Sequence, residues 1–190
     1  LLLGAGPLSW RDARLADWAD YPKVYGLGPE HIADLTRLAT DEDCHDSDTD
    51  HKWAPVHAWR ALGQLKAVGA VDGLVGLLKR VDEDDDWVDD ELPDVFGMIG
   101  APAIPALAAY MGDHENGLYA RVCAANGIAH IGLKVPEARV ECINLIRGIL
   151  DQFRTNDPSL NGLLIDMLMD LDTGETWESV KAAYQAGCVD

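Results

Sequence analysis

The sequence predicts an all-α fold, a right-handed α-α superhelix or solenoid of antiparallel helix pairs. Three observations carry that expectation. Apolar residues recur at helical spacing, and no run alternates with the period of two that a half-buried strand needs. Three tetrads, Leu62-Gly63-Gln64-Leu65, Phe96-Gly97-Met98-Ile99 and Ile128-Ala129-His130-Ile131, start with an apolar and then a small residue and end apolar, at steps of 34 and 32 residues. Each tetrad closes one helical pattern and leads through a short turn into a second apolar segment, at 70–78, 103–111 and 137–150.

The elements follow in order as one domain over residues 1–190. Residues 1–40 read as an N-terminal helical cap. Within it, 11–20 is compatible with one helix, Tyr21-Pro22 and Gly26-Leu27-Gly28-Pro29 are turn chemistry, and 29–39 is a helix with Ile32, Leu35 and Leu38 on one face. A terminal unit must cover a core that has no further neighbour. Residues 41–52 form an acidic loop, and three helix pairs then occupy 53–153. Their helices are expected at 54–65 with 70–80, 88–99 with 102–112, and 117–131 with 136–153. Pro55, Pro102 and Pro136 stand in first turns, where a missing N–H costs nothing. Gly63, Gly97 and Ala129 mark the close crossing of the two helices of a hairpin, since Gly in a helix costs about 1 kcal/mol that packing must offset. A fourth, weaker pair at 158–171 and 175–187 makes 157–188 a C-terminal cap, opened by Asp157-Pro158 and broken at Thr173-Gly174.

Composition bounds what such a protein does. Its 190 residues suit one domain or an elongated array, and 48% hydrophobic residues suffice for a packed core. No window of about 18 apolar residues is present to span a membrane. The 33 acids against 15 bases give a net charge of −18, a field that repels nucleic acid and anionic membrane surfaces. Nine of the 33 acids are Glu, so 24 are Asp, a balance that salt-adapted proteins share. Cys44, Cys123, Cys142 and Cys188 lie far apart with no C-x-x-C pair, which points to free thiols and a cytoplasmic location. The apolar stretch 1–8 is short and has no basic region, so it does not read as a secretory signal.

The segment Ile99-Gly100-Ala101-Pro102-Ala103-Ile104-Pro105-Ala106-Leu107, at the turn of a paired-helix repeat of 32 to 34 residues, resembles the HEAT-like repeat family. The likeness is to the bacterial short-HEAT type also seen in phycobilin lyases, and covers residues 54–153 well and 157–187 weakly. The stretches 24–27 and 53–60 are similar to a group of bacterial HEAT-like proteins. The resemblance implies an interaction scaffold, with an enzyme or enzyme accessory, phycobilin-lyase-like or dependent on a divalent cation, as the alternative. HEAT-type deoxyhypusine hydroxylases hold two irons with several His-Glu pairs, and His114-Glu115 is the single pair here. HEAT-like DNA glycosylases need a basic groove, which the charge of −18 opposes.

The acids concentrate in two places, six in residues 41–50 and nine in 82–94. Both precede the first helix of a pair, so in a stack of pairs they share one edge. Three readings of that rim are open: a solvated edge whose acids favour helix N-termini, a docking edge for a basic partner, and a divalent-cation site. Asp46-x-Asp48-x-Asp50 and Asp82-x-Asp84-x-Asp86 resemble the opening of an EF-hand loop, but His51 and Trp87 replace the required Gly, and His57 and Pro93 the bidentate Glu. No metal ligand set, cofactor motif or catalytic residue is therefore assigned. Trp53, Trp87 and Tyr119 recur at steps of 34 and 32 and would stack as an aromatic ladder. In the same register His57 would face Glu91 and Arg60 would face Asp94. The expectation is a non-catalytic scaffold that binds a basic protein through Asp84, Asp85, Asp86, Trp87, Asp90 and Trp53.

Overall fold

The structure, a computed structural model, describes residues 2–9, 14–83, 85–171, 174 and 176–190. Among them the chain is all-helical, with no strand. The helices are α1 (Tyr21–Tyr25), α2 (Ile32–Ala39), α3 (Glu42–His45), α4 (Ala54–Gln64), α5 (Val71–Gly76), α6 (Asp86–Ile99), α7 (Ile104–Gly112), α8 (Leu118–Lys134), α9 (Arg139–Leu150), α10 (Pro158–Leu171) and α11 (Trp177–Gln185). Short 3-10 turns at Val68–Ala70, Ala101–Ala103 and Pro136–Ala138 lead into α5, α7 and α9, at matching places in the three pairs.

Two rows of helices result. α2, α4, α6, α8 and α10 pack in succession on one side, and α5, α7, α9 and α11 on the other. α7 packs more closely on α8, in the next pair, than on its own partner α6. The chain bends by 117° between α6 and the segment Ala101–Gly112. Gly100 makes that bend with φ +87, where a side chain would be strained. The first pair turns differently, since Lys66 itself takes the left-handed conformation, with φ +52.

Helix α8 touches α6, α7, α9 and α10, and its composition fits that position. Its buried residues are mostly Ala, Gly and Cys, which let four neighbours approach. A Cβ on Gly127 would lie 3.1 Å from Phe96, and one on Gly132 would lie 2.9 Å from Leu171. Large side chains on the neighbours, among them Phe96, Leu107 and Leu171, fill the space and are fully buried.

Several expectations are corrected. The small residues at 63 and 97 do mark close approaches, but between first helices of successive pairs. A Cβ on Gly63 would meet Val95 and Met98 of α6, and one on Gly97 would meet His130 and Lys134 of α8. Tyr21-Pro22 opens α1 instead of forming a loop, because Asp20 caps it by accepting the Lys23 N–H at 3.1 Å. In 11–20 the described part holds only a 3-10 turn, Leu15–Asp17. The acidic segment 41–52 is largely helical, with α3 and the 3-10 turn Asp50–Trp53. The second helix of the first pair is α-helical only to Gly76, then tightens into a 3-10 helix, Leu77–Glu83. The break at Thr173-Gly174 falls partly outside the described residues. No single helix among the described residues is long and apolar enough to cross a membrane.

Candidate partner-binding site

The two acidic segments meet at Arg80. Its Nη2 donates to Asp46 at 3.0 Å and its Nε donates to Asp85 at 3.1 Å. Lys79 adds a longer pair to Glu42 at 3.4 Å. The rim is thus partly neutralised by the chain's own cations. Several of its acids also cap helices. Asp41 accepts the Cys44 N–H at the start of α3, and Asp85 accepts the Val88 N–H at the start of α6. Asp82 reaches past the second pair to the third and accepts the Tyr119 N–H at 3.1 Å. An acid at a helix N-terminus also favours the helix dipole.

Next to this junction Trp53 and Trp87 meet edge to face, with centroids 5.2 Å apart and planes at 82°. Trp53 ends a 3-10 turn that runs into α4, and Trp87 lies in the first turn of α6, so stacking α4 on α6 brings them together. Around them is a cavity of about 180 Å³ lined by His45, Lys52, Trp53, Val56, Trp59, Asp85 and Trp87. The His45 ring stacks on Trp59 at 6.0 Å. The Lys52 ammonium stands 5.4 Å over the Trp53 ring.

Beneath the cavity lies a buried polar network. Glu91, with no exposure, accepts hydrogen bonds from Trp59 Nε1 and Arg60 Nε, each at 2.8 Å, and pairs with Arg60 Nη2. The Arg60 guanidinium lies 4.8 Å over Trp18 and 5.9 Å over Trp87. His57 Nδ1 meets the Tyr21 hydroxyl at 2.6 Å, and its Nε2 donates to the Gly6 carbonyl at 2.9 Å. Burial pushes the Glu91 carboxyl up, against the pull of Arg60 and Trp59. Burial also holds His45 below its ordinary value, aided by Arg80 and opposed by the Ala39 carbonyl, Asp85 and Asp46.

Of the residues expected to bind a partner, Trp53, Asp85 and Trp87 come together at the cavity. Asp86 and Asp90 lie exposed on α6 and do not line it. Asp84 lies outside the described residues. The aromatic ladder stops at two rungs. Tyr119 is 56% exposed and lines a separate cleft with Asp166, Tyr184 and Asp190. The polar register is shifted too. Arg60 pairs with Glu91, not Asp94, while Asp94 meets His130 at 3.1 Å and Lys134 at 2.7 Å. Sequence reasoning missed His45 and Trp59. Trp59 was findable, since it follows Val56 by three residues on α4 and so shares its face.

Among the described residues no group of three or more His, Cys, Asp or Glu is arranged to hold a metal ion. Comparison of the chain with family models, curated proteins and solved structures finds no match. The functional reading therefore rests on the geometry of the chain itself.

Proposed function

We propose that this chain is a HEAT-like α-α solenoid that acts as a non-catalytic scaffold and binds a basic segment of a partner protein at its acidic edge. The observation that carries the reading is the cavity walled by Trp53, Trp59 and Trp87 at the point where Arg80 draws the two acidic segments together. Aromatic faces attract cations, and carboxylates beside them raise the local concentration of a basic chain. The succession of helices in two rows, and the 3-10 turns at matching places, support the solenoid reading.

The test is binding of a lysine-rich peptide, followed by calorimetry over a range of salt. Affinity falls steeply with salt, and it falls again in the double variant Asp86→Asn, Asp90→Asn. Those two carboxylates are exposed, and the side-chain cap of α6 is Asp85, which the variant leaves in place, so the variant keeps its fold. Binding that ignores both salt and the variant would overturn the reading.

A further inference from the structure

A basic segment can offer the cavity a lysine, an arginine or a methylated amine. His45 and Asp85, which both line the cavity, select among them. His45 Nε2 lies 2.9 Å from the Ala39 carbonyl oxygen, which can only accept, so Nε2 carries the hydrogen. In the neutral ring Nδ1 then holds a lone pair. Burial keeps the ring neutral, as described above. Nδ1 faces Asp85 Oδ2 at 3.9 Å. Two acceptors thus face each other across a gap with no hydrogen between them. The His45 side chain is only 5% exposed, so little bulk water reaches it from outside the cavity.

The neighbouring charges do not fill the gap. Arg80 already gives its Nε to Asp85 and its Nη2 to Asp46. Arg60 is committed to Glu91 and does not line the cavity. Lys52 stands over Trp53 at the mouth. The site therefore offers indole surface, a net excess of acceptors, and room for a small cationic group.

Three cations fit an aromatic wall, and the acceptor pair discriminates among them. A quaternary ammonium has no N–H to give. A primary ammonium donates, but it is strongly hydrated and does not stack. A guanidinium is planar, weakly hydrated, and presents several N–H groups in a fixed fork. We propose that the cavity seats the guanidinium of an arginine on the partner segment, flat against the Trp53 indole that Lys52 covers and beside the Trp87 ring standing edge to face with it, with its N–H groups shared between His45 Nδ1 and the Asp85 carboxylate. This deepens the scaffold reading and rests on it. Lys52 swings off Trp53 as the arginine enters.

The experiment uses short lysine–glycine peptides that differ at one central residue: arginine, lysine, trimethyl-lysine or norleucine. Binding to the whole chain is followed by tryptophan fluorescence. The arginine peptide binds about tenfold tighter than the lysine peptide, as one desolvated cation–π contact allows. The advantage disappears in Trp53→Leu, and Lys52→Gln tightens the arginine peptide. Equal affinity for arginine, lysine and trimethyl-lysine, with salt dependence retained, overturns this inference and leaves the acidic-edge reading standing. Tighter binding of trimethyl-lysine also overturns it, in favour of a quaternary ammonium site. Free arginine methyl ester bound as tightly as the peptide would assign the cavity to a small molecule and overturn the commitment to a partner segment. Failure of every peptide to bind at low salt removes both readings. The arginine–lysine comparison uses the unaltered chain, so it holds even where a variant does not fold.

Discussion

Arg60 and Glu91 form a buried pair between α4 and α6, with the guanidinium gripping both carboxylate oxygens. Both residues are essentially unexposed, at 1% and 0%. Removing one partner leaves the other charge without compensation. Arg60→Met should cost about 3–5 kcal/mol of stability, measured by denaturant unfolding. The double variant Arg60→Met, Glu91→Leu should cost clearly less than the two single changes added together. Strict additivity would show that the two charges are not coupled.

Two glycines should respond with opposite signs. A Cβ on Gly97 would lie 3.1 Å from the His130 Cβ and 3.0 Å from Lys134 Cδ. Gly97→Leu overpacks the α6–α8 crossing, pushes Lys134 off Asp94, and should cost about 1–3 kcal/mol. Gly148, inside α9, has nothing within 4 Å of the added position. Gly148→Ala should stabilise by about 0.4–1 kcal/mol, because it removes freedom from the unfolded chain. Thermal unfolding of both variants checks the pair, and matching signs would contradict the packing described.

Asp94 predicts an acid limb in stability. Burial pushes its carboxyl up, but His130 and Lys134 more than offset this, and it ends below its ordinary 3.8. The unfolded chain therefore takes up this proton first as pH falls. The stability Asp94 contributes is complete above about 3.8, and it is lost as pH drops toward and through the lower folded-state value. Asp94→Asn should flatten that part of the profile of melting temperature against pH.

His45 acts at a higher pH. Its folded-state value lies below the ordinary 6.5, chiefly through burial, with Arg80 also lowering it and the Ala39 carbonyl, Asp85 and Asp46 opposing. Between the two values the unfolded chain binds more protons than the folded one, so stability rises with pH there. It should fall as pH drops below about 6.5 and level off under the folded-state value. The protonated ring also turns its Nδ1 into a donor toward Asp85, which closes the acceptor gap. Arginine-peptide affinity should therefore fall over the same interval, and in His45→Gln both changes should shrink.

The sequence by itself determined that the chain is helical and where most helices begin. Helical periodicity, and prolines placed at first turns, act within a few residues of chain, so Pro158 opens α10 as expected and Pro102 and Pro136 lie in the 3-10 turns before α7 and α9. It also determined that Trp53 and Trp87 would meet, because equal spacing from equivalent helix starts is a local property carried across one stacking step. Tertiary structure alone decided the partners of the charged groups. Arg60 reaches Glu91 and Asp94 reaches His130 because α4, α6 and α8 stack with an offset that helical spacing does not encode. It also decided that Gly63 and Gly97 serve crossings between pairs, since which helix approaches a small residue depends on the bend at Lys66 and at Gly100. His45 entered the site for the same reason. Its neighbours Trp59 and Asp85 lie 14 and 40 residues away in sequence, and only the packing of α3 against α4, with Arg80 drawing Asp46 and Asp85 together, sets an imidazole lone pair opposite a carboxylate.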